Sequence, residues 1–374
     1  MGSNKVILTG DWHLGKRQYG LKFREMDRYK TAWEIIHYAV KNGVKAILNA
    51  GDLLDVVRPT SRAINELMKI HNTLVQNDIP MLVVQGNHDK TNPPWFELFN
   101  SDTQSGVVLA DNRDIKLSIG DSSIKVSGVP EQDVDSLKEN LQKVDGGDIL
   151  MTHISVRDWI GFPSETALSL ADIPANKWEY VLIGDTHVTE VTDMKELGFK
   201  AISPGSIELG DKAESRDKSF FVLDVDTKKI KKEKLVTRPA VNIRVETEEE
   251  VEAGLKEIAK AIHNEAMIFL TYNPFIPGFM ARVDEHRKDN NSYIIPEVFI
   301  TEDELFGNDE LEFAGDEILE IQHFACRHTN ESDLVKAFER IVDSSDSVAD
   351  IVQFLEEGEE DDAVQTRSAS SSMA

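Results

Sequence analysis

Lys5-Val6-Ile7-Leu8-Thr9-Gly10-Asp11-Trp12-His13-Leu14-Gly15 sets the pattern that the first half of the chain repeats. A short apolar, β-branched run reads as a strand, and a carboxylate and an imidazole follow it at once. Ala46-Ile47-Leu48-Asn49-Ala50 leads in the same way into Gly51-Asp52-Leu53-Leu54-Asp55, and the strand-like run 80–84 leads into Gly86-Asn87-His88-Asp89. Runs at 148–152 and 180–183 lead into His153 and into Gly184-Asp185-Thr186-His187. Helical spacing over 28–41 and 62–76 separates the first three strands, and further strands are expected at 124–127 and 219–223. Strands alternating with helices predict an α/β fold with helix-covered sheets.

Sheets of this kind gather their ligands in the crevice beyond the carboxyl ends of the strands, so all five polar clusters can converge on one point. Oxygen and imidazole donors without thiolate suit Mn²⁺, Mg²⁺, Fe or Zn²⁺, and a two-metal centre needs a bridging carboxylate, for which Asp52 is the candidate. The D-x-H spacing of Asp11 and His13 predicts two side chains on the same side of an extended chain, and Asp185 and His187 repeat it. Glycines before Asp52, Asn87 and Asp185 are expected to allow sharp turns. His37, His71 and His263 fall inside helical patterns and read as ordinary helix residues, while Trp12 is expected to pack beneath the site.

With 374 residues the chain exceeds one ordinary core and predicts more than one domain. Its single cysteine, Cys326, excludes an internal disulfide framework and fits a reducing, cytoplasmic setting. No run is apolar for long enough to span a bilayer, so no membrane role is expected. A net charge of −26 argues at first against a nucleic-acid partner, yet the acid is concentrated: 297–362 holds 22 acidic residues against three basic ones, a net −19, which leaves −7 for the rest.

Texture changes after Arg238-Pro239. Residues 238–326 read as a smaller α/β module, with strands at 241–246, 267–272 and 293–300 and a helix at 248–263. Residues 327–362 read as acidic helices with an apolar stripe, and 363–374 as a disordered tail. Lys228, Lys229, Lys231, Lys232 and Lys234 form a basic run in an expected hairpin, either a solvated edge or a contact for DNA backbone. Ile64, Leu67, Met68, His71, Leu74 and Val75 make a helical stripe that faces either the core or a dimer partner.

The clusters, in the order D-x-H, G-D, G-N-H, H and a final pair ending in His187, resemble those of calcineurin-like metallophosphoesterases. Asp11 to Gly15, Gly51 to Asp55 with Pro59, Gly86 to Asp89, and Ser203-Pro204-Gly205-Ser206 with Glu208 are similar to the SbcD nuclease branch. The resemblance implies a four-layer αββα sandwich over 1–237, a DNA-capping α/β domain, and a helical, acidic ATPase-binding segment. It implies two divalent metals, Mn preferred and Mg usable: Asp11, His13, Asp52 and His187 at one, and Asp52, Asn87, His153 and Asp185 at the other. His88 would contact the scissile phosphate, oriented by Asp89. The chain departs from the family at Asp185, where a histidine is usual; carboxylate hardens the ligand set. The implied activity is hydrolysis of phosphodiesters at DNA ends, 3′ to 5′, with internal cuts in single strands. A homodimer and an SbcC-type, SMC-like ATPase are the implied partners. A small-molecule phosphoesterase and a metal-free scaffold remain as alternatives.

Overall fold

In the computed structural model, residues 4–90, 95, 99, 105–160, 164, 166–287 and 293–300 are described. Successive side chains of β1 (Lys5–Thr9) point to opposite faces, and that alternation stacks the layers. Ile7 packs with Ile35, Ile36, Leu67 and Leu74 of two helices, α1 (Lys22–Lys41) and α2 (Ser61–Gln76). Val6 and Leu8 pack the other way, with Val126, Met151, Leu182 and Ile202 of a second sheet. The second sheet's far face buries Leu150, Val181 and Ile183 against Leu137 and Leu141 of α3 (Val134–Lys143). Helix, sheet, sheet, helix: this is the expected four-layer αββα sandwich.

In the first sheet β1 lies between β2 (Ala46–Asn49), parallel, and β11 (Ser219–Asp224), antiparallel. Beyond β2 come β3 (Pro80–Val83) and β4 (Gly106–Leu109); beyond β11 lies the edge strand β12 (Lys229–Lys234). The second sheet runs β5 (Arg113–Ile119), β6 (Ser122–Val129), β7 (Ile149–His153), β8 (Tyr180–Gly184), β10 (Phe199–Ser203), β9 (Glu190–Met194). β1, β2 and β3 run parallel in one sheet, and β7 and β8 in the other, so each set ends on a common side.

α1 starts six residues earlier than the periodicity predicts, because its first turns bury charge rather than hydrocarbon. Arg24 and Glu25 are buried, and Glu25 accepts from Arg17 Nε at 2.6 Å and Tyr29 Oη at 2.7 Å. The stripe on α2 faces the core: Leu67 and Leu74 are fully buried, and Ile64 and Met68 pack against the same cluster. Of the basic run, Lys229 to Lys234 form the edge strand β12, and Lys228, Lys231, Lys232 and Lys234 pair with Glu179, Glu233 and Asp217.

The chain divides into two compact units, Met1–Thr237 and Arg238–Ala374. In the second, β13 (Ala240–Val245), β14 (Met267–Tyr272) and β15 (Tyr293–Val298) form a parallel sheet, with α4 (Val251–His263) and α5 (Phe279–Arg287) as crossovers. The acidic helices expected over 327–362 and the tail over 363–374 lie outside the described residues. No helix among the described residues is long and apolar enough to cross a membrane.

Candidate metal centre

The loops after β1 and β2 stay paired beyond their strands: Asp11 N–H donates to the Gly51 carbonyl at 3.0 Å and His13 N–H to the Asp52 carbonyl at 2.9 Å. Beneath them Trp12 is fully buried, its Nε1 donating to Thr9 Oγ1 at 2.8 Å, so it is a floor and not a stacking surface. β1 ends at Thr9, however, and the extended-chain account of D-x-H does not hold. Asp11, His13, Asp52, Asp185 and His187 all sit at positive φ (50, 46, 50, 88 and 54°), so tight left-handed turns, not a strand, aim these side chains. Such backbone costs on the order of 1 kcal/mol per residue, and two or three fully buried Leu or Ile side chains offset all five.

The glycines also differ in their reason. Gly51 turns at φ +103°, as expected, but Gly86 and Gly184 are needed for close approach. A Cβ on Gly86 would lie 2.1 Å from Asp52 Oδ1, and one on Gly184 would lie 2.3 Å from the Ala50 carbonyl oxygen and 2.7 Å from His153 Nδ1.

The ligating atoms of Asp11, His13 and His187 lie within 4.8 Å of one another, as do those of Asp11, Asp52 and His153, and those of His13, Asp52 and His88. Asp52 stands between the groups: Oδ2 is 3.6 Å from His13 Nε2 and 3.5 Å from His153 Nε2, while Oδ1 accepts from His88 N–H at 3.0 Å. His13 and His187 face each other Nε2 to Nε2 at 3.0 Å. His153 Nδ1 is 2.8 Å from the Ala50 carbonyl, to which it donates, turning Nε2 inward. Asn87 sets Oδ1 3.1 Å from that Nε2; turned about, its NH₂ would donate to the two Asp52 oxygens at 3.3 and 3.2 Å. Asp185 stands at the margin. Its N–H donates to Asp11 Oδ1 at 3.0 Å, its Oδ1 is 3.6 Å from His153 Nε2, and its Oδ2 accepts from the Ser155 hydroxyl.

The electrostatics are those of a charge cluster in a buried floor. Burial pushes Asp11 up to about 6 although His187 and His153 pull it down. Burial would raise Asp52 as well, but the close pairing with His153 outweighs it and holds the carboxyl at about 2. Burial opposes charge on His153, yet Asp52, Asp11 and Asp185 together raise it to about 10. Burial and then Arg28 hold His13 well below the ordinary imidazole value.

These residues fit a divalent cation. Asp11 Oδ2 is buried without a hydrogen-bond partner among the described residues, and the His13–His187 pair turns two ring nitrogens toward one point. A cation would satisfy both, would select the oxygen-inward form of Asn87, and would displace a proton from His153.

Asp89 does not orient His88. It is fully buried, and its carboxylate accepts from the backbone N–H groups of Leu53 (3.1 Å), Leu54 (3.0 Å) and Gly86 (3.2 Å), clamping the loop after β2 to the loop after β3. His88 is held instead by the Asp55 carbonyl, 2.5 Å from Nδ1. His37, His71 and His263 stand outside these clusters; His71 Nδ1 accepts from Val107 N–H at 3.1 Å. The residues that the motifs did not point to are Ser155, Glu214 and Lys218. Glu214 and Lys218 lie in polar loop sequence that reads like any solvated connection, and Ser155 stands singly between the apolar Ile154 and Val156.

Residues 5–228 match the calcineurin-like phosphoesterase superfamily domain. The chain is 30% identical over 232 residues to the DNA double-strand break repair protein Mre11 of Methanosarcina acetivorans, covering 59% of this chain and 36% of that protein. It is 32% identical over 181 residues to the protein of the same name from Sulfolobus acidocaldarius, covering 46% of each. Over 313 residues it is 25% identical to that of Methanocaldococcus jannaschii, covering 79% of this chain and 83% of the relative. The chain thus spans between a third and a half of the length of the first two relatives. It belongs to the calcineurin-like phosphoesterase superfamily, with Mre11 proteins among its homologues.

Proposed function

We propose that the Met1–Thr237 unit is a two-metal phosphodiesterase that cuts DNA, the nuclease subunit of an SbcCD-like, Mre11-type repair complex. The convergence of Asp11, His13, Asp52, His153 and His187 around a shared carboxylate, with a buried oxygen of Asp11 left unpartnered, is the observation that carries this reading. Asp11, His13, Asp52 and His187 hold one cation, and Asp52, Asn87, His153 and Asp185 hold the other. Manganese is preferred and magnesium usable, since the donors are hard oxygens and imidazoles. When bound, such ions supply a Lewis acid for the phosphate oxygen and water acidified toward neutrality.

The chain's own side chains do the rest. Asp52, fixed through Oδ1 by His88 N–H, keeps Oδ2 between His13 and His153. His88, with Nδ1 against the Asp55 carbonyl, presents Nε2; as imidazolium it contacts the scissile phosphate and gives its proton to the leaving oxygen. Asp89 keeps the two loops in register. The reaction is phosphodiester hydrolysis at DNA ends, 3′ to 5′, with internal cuts in single strands. The protein works in the cytoplasm as a homodimer with an SMC-like ATPase. The module over 238–326 caps the DNA, and 327–362 engages the ATPase.

Titrating manganese and magnesium separately, while following end-labelled duplex and single-stranded DNA with and without the ATPase, tests this. Metal-dependent DNA cleavage that Asp52→Ala abolishes is expected. Turnover of p-nitrophenyl phosphate with intact DNA would overturn the substrate assignment, and absence of bound manganese would overturn the metal centre.

A further inference from the structure

Behind His187 lies a carboxylate that no motif marks. Glu214, in the loop between β10 and β11, places Oε1 2.9 Å from His187 Nδ1. Its other oxygen, Oε2, accepts from Ser206 Oγ at 2.9 Å, from Gly210 N–H at 3.0 Å and from the ammonium of Lys218, which is itself buried. Lys218 also donates to Ser206 Oγ at 2.7 Å. The absence of a side chain at Gly210 makes room for this, since a Cβ there would sit 2.6 Å from Glu214 Oε1.

The two oxygens divide the work. Oε2 is fixed by Gly210 N–H and the Lys218 ammonium, with the one Ser206 hydroxyl proton shared between it and the Glu208 carbonyl, so the carboxylate cannot swing, and Oε1 is turned to His187. A carboxylate that served only as counter-charge to Lys218 would be complete through Oε2. An imidazole that donates Nδ1–H to a fixed oxygen keeps its lone pair on Nε2, and that atom is the one 3.0 Å from His13 Nε2. We propose that Glu214 is a positioning residue for His187, setting the tautomer and ring angle that aim Nε2 at the cation shared with Asp11 and His13. This rests on reading the cluster as a metal centre and deepens that reading.

Manganese titrated calorimetrically into the full chain tests it. The unsubstituted protein binds two ions; Glu214→Ala weakens one of them by about 10- to 100-fold and leaves the other unchanged. In a His187→Ala background, Glu214→Ala produces no further weakening. Nitrogen-15 NMR of the unsubstituted protein without added metal, above the imidazole titration range, shows the His187 proton on Nδ1. That measurement decides the matter even if the alanine variant fails to fold, because a proton on Nε2 overturns the proposal. Equal manganese affinities in Glu214→Ala, or equal losses with and without His187, also overturn it while leaving the metal centre standing. No manganese binding by the unsubstituted protein ends both.

Discussion

His13 and His187, 174 residues apart in the chain, meet with their Nε2 atoms 3.0 Å apart. Neither ring can donate to the other unless one of them carries its proton there, and a cation between them removes the conflict. Manganese at about 100 times its dissociation constant should therefore stabilise the fold by about 2.7 kcal/mol and raise the melting temperature by roughly 5 °C or more. Chelation should reverse the rise, and His13→Ala should remove most of it. A melting curve indifferent to manganese would show that the two rings are held together for another reason.

Asp89 and His88 are neighbours with separable duties. Asp89→Ala leaves the N–H groups of Leu53, Leu54 and Gly86 without their acceptor, at about 1–3 kcal/mol for each that stays buried. Denaturant unfolding should show a loss of about 3 kcal/mol or more. His88→Asn should leave stability within about 1 kcal/mol and manganese binding intact, yet slow DNA cleavage by about 100-fold or more. If Asp89→Ala were as stable as the unsubstituted protein, or His88→Asn lost its metal, the division would be wrong.

The readable parts of the sequence were those where one physical signal dominates. β1, β2, β3, β7 and β8 are buried on both faces, so they stand out as apolar runs, and the carboxylates and imidazoles after them stand out by contrast. The edge strand β9 (Glu190–Met194) is largely solvent-facing and has no such run. The start of α1 was hidden because Arg24 and Glu25 are buried on polar partners of their own, Gln18 and the Leu209 carbonyl for one, Arg17 and Tyr29 for the other, instead of presenting an apolar stripe. At the site, residue types and order marked Asp11, His13, Asp52, His153 and His187. The left-handed backbone of Asp11, His13, Asp52 and His187 and the clamp made by Asp89 depend on contacts between loops 35 or more residues apart, which no local pattern encodes.

Gly184, the last residue of β8, packs directly against Ala50, just past the end of β2. A methyl group there would stand 2.3 Å from the Ala50 carbonyl oxygen, the acceptor that orients His153. Gly184→Ala should destabilise the fold by about 1–3 kcal/mol, as overpacking does. It should also weaken manganese binding, because His153 loses its fixed orientation. Unaltered metal affinity, measured calorimetrically on a folded Gly184→Ala protein, would show that the Ala50 contact does not aim His153.

Asp111, between β4 and β5, accepts from Gln85 N–H at 2.9 Å. Burial pushes its carboxyl up to about 6, against the hydrogen bond and Lys90, which pull it down. An unfolded chain releases the same proton near about pH 4. The folded state therefore holds the proton more tightly, so the stabilising contribution of protonated Asp111 is complete below about pH 4 and is lost as pH rises through about 6. Asn at this position keeps an oxygen for Gln85 N–H and carries no charge. Asp111→Asn should match the unsubstituted protein at acid pH and exceed it above about pH 6 by on the order of 1 kcal/mol, allowing for partial exposure. Urea unfolding of both proteins across that range, taken as a difference so that other titrating groups cancel, checks it; a difference that does not change with pH would mean that Asp111 is ionised throughout in the folded chain.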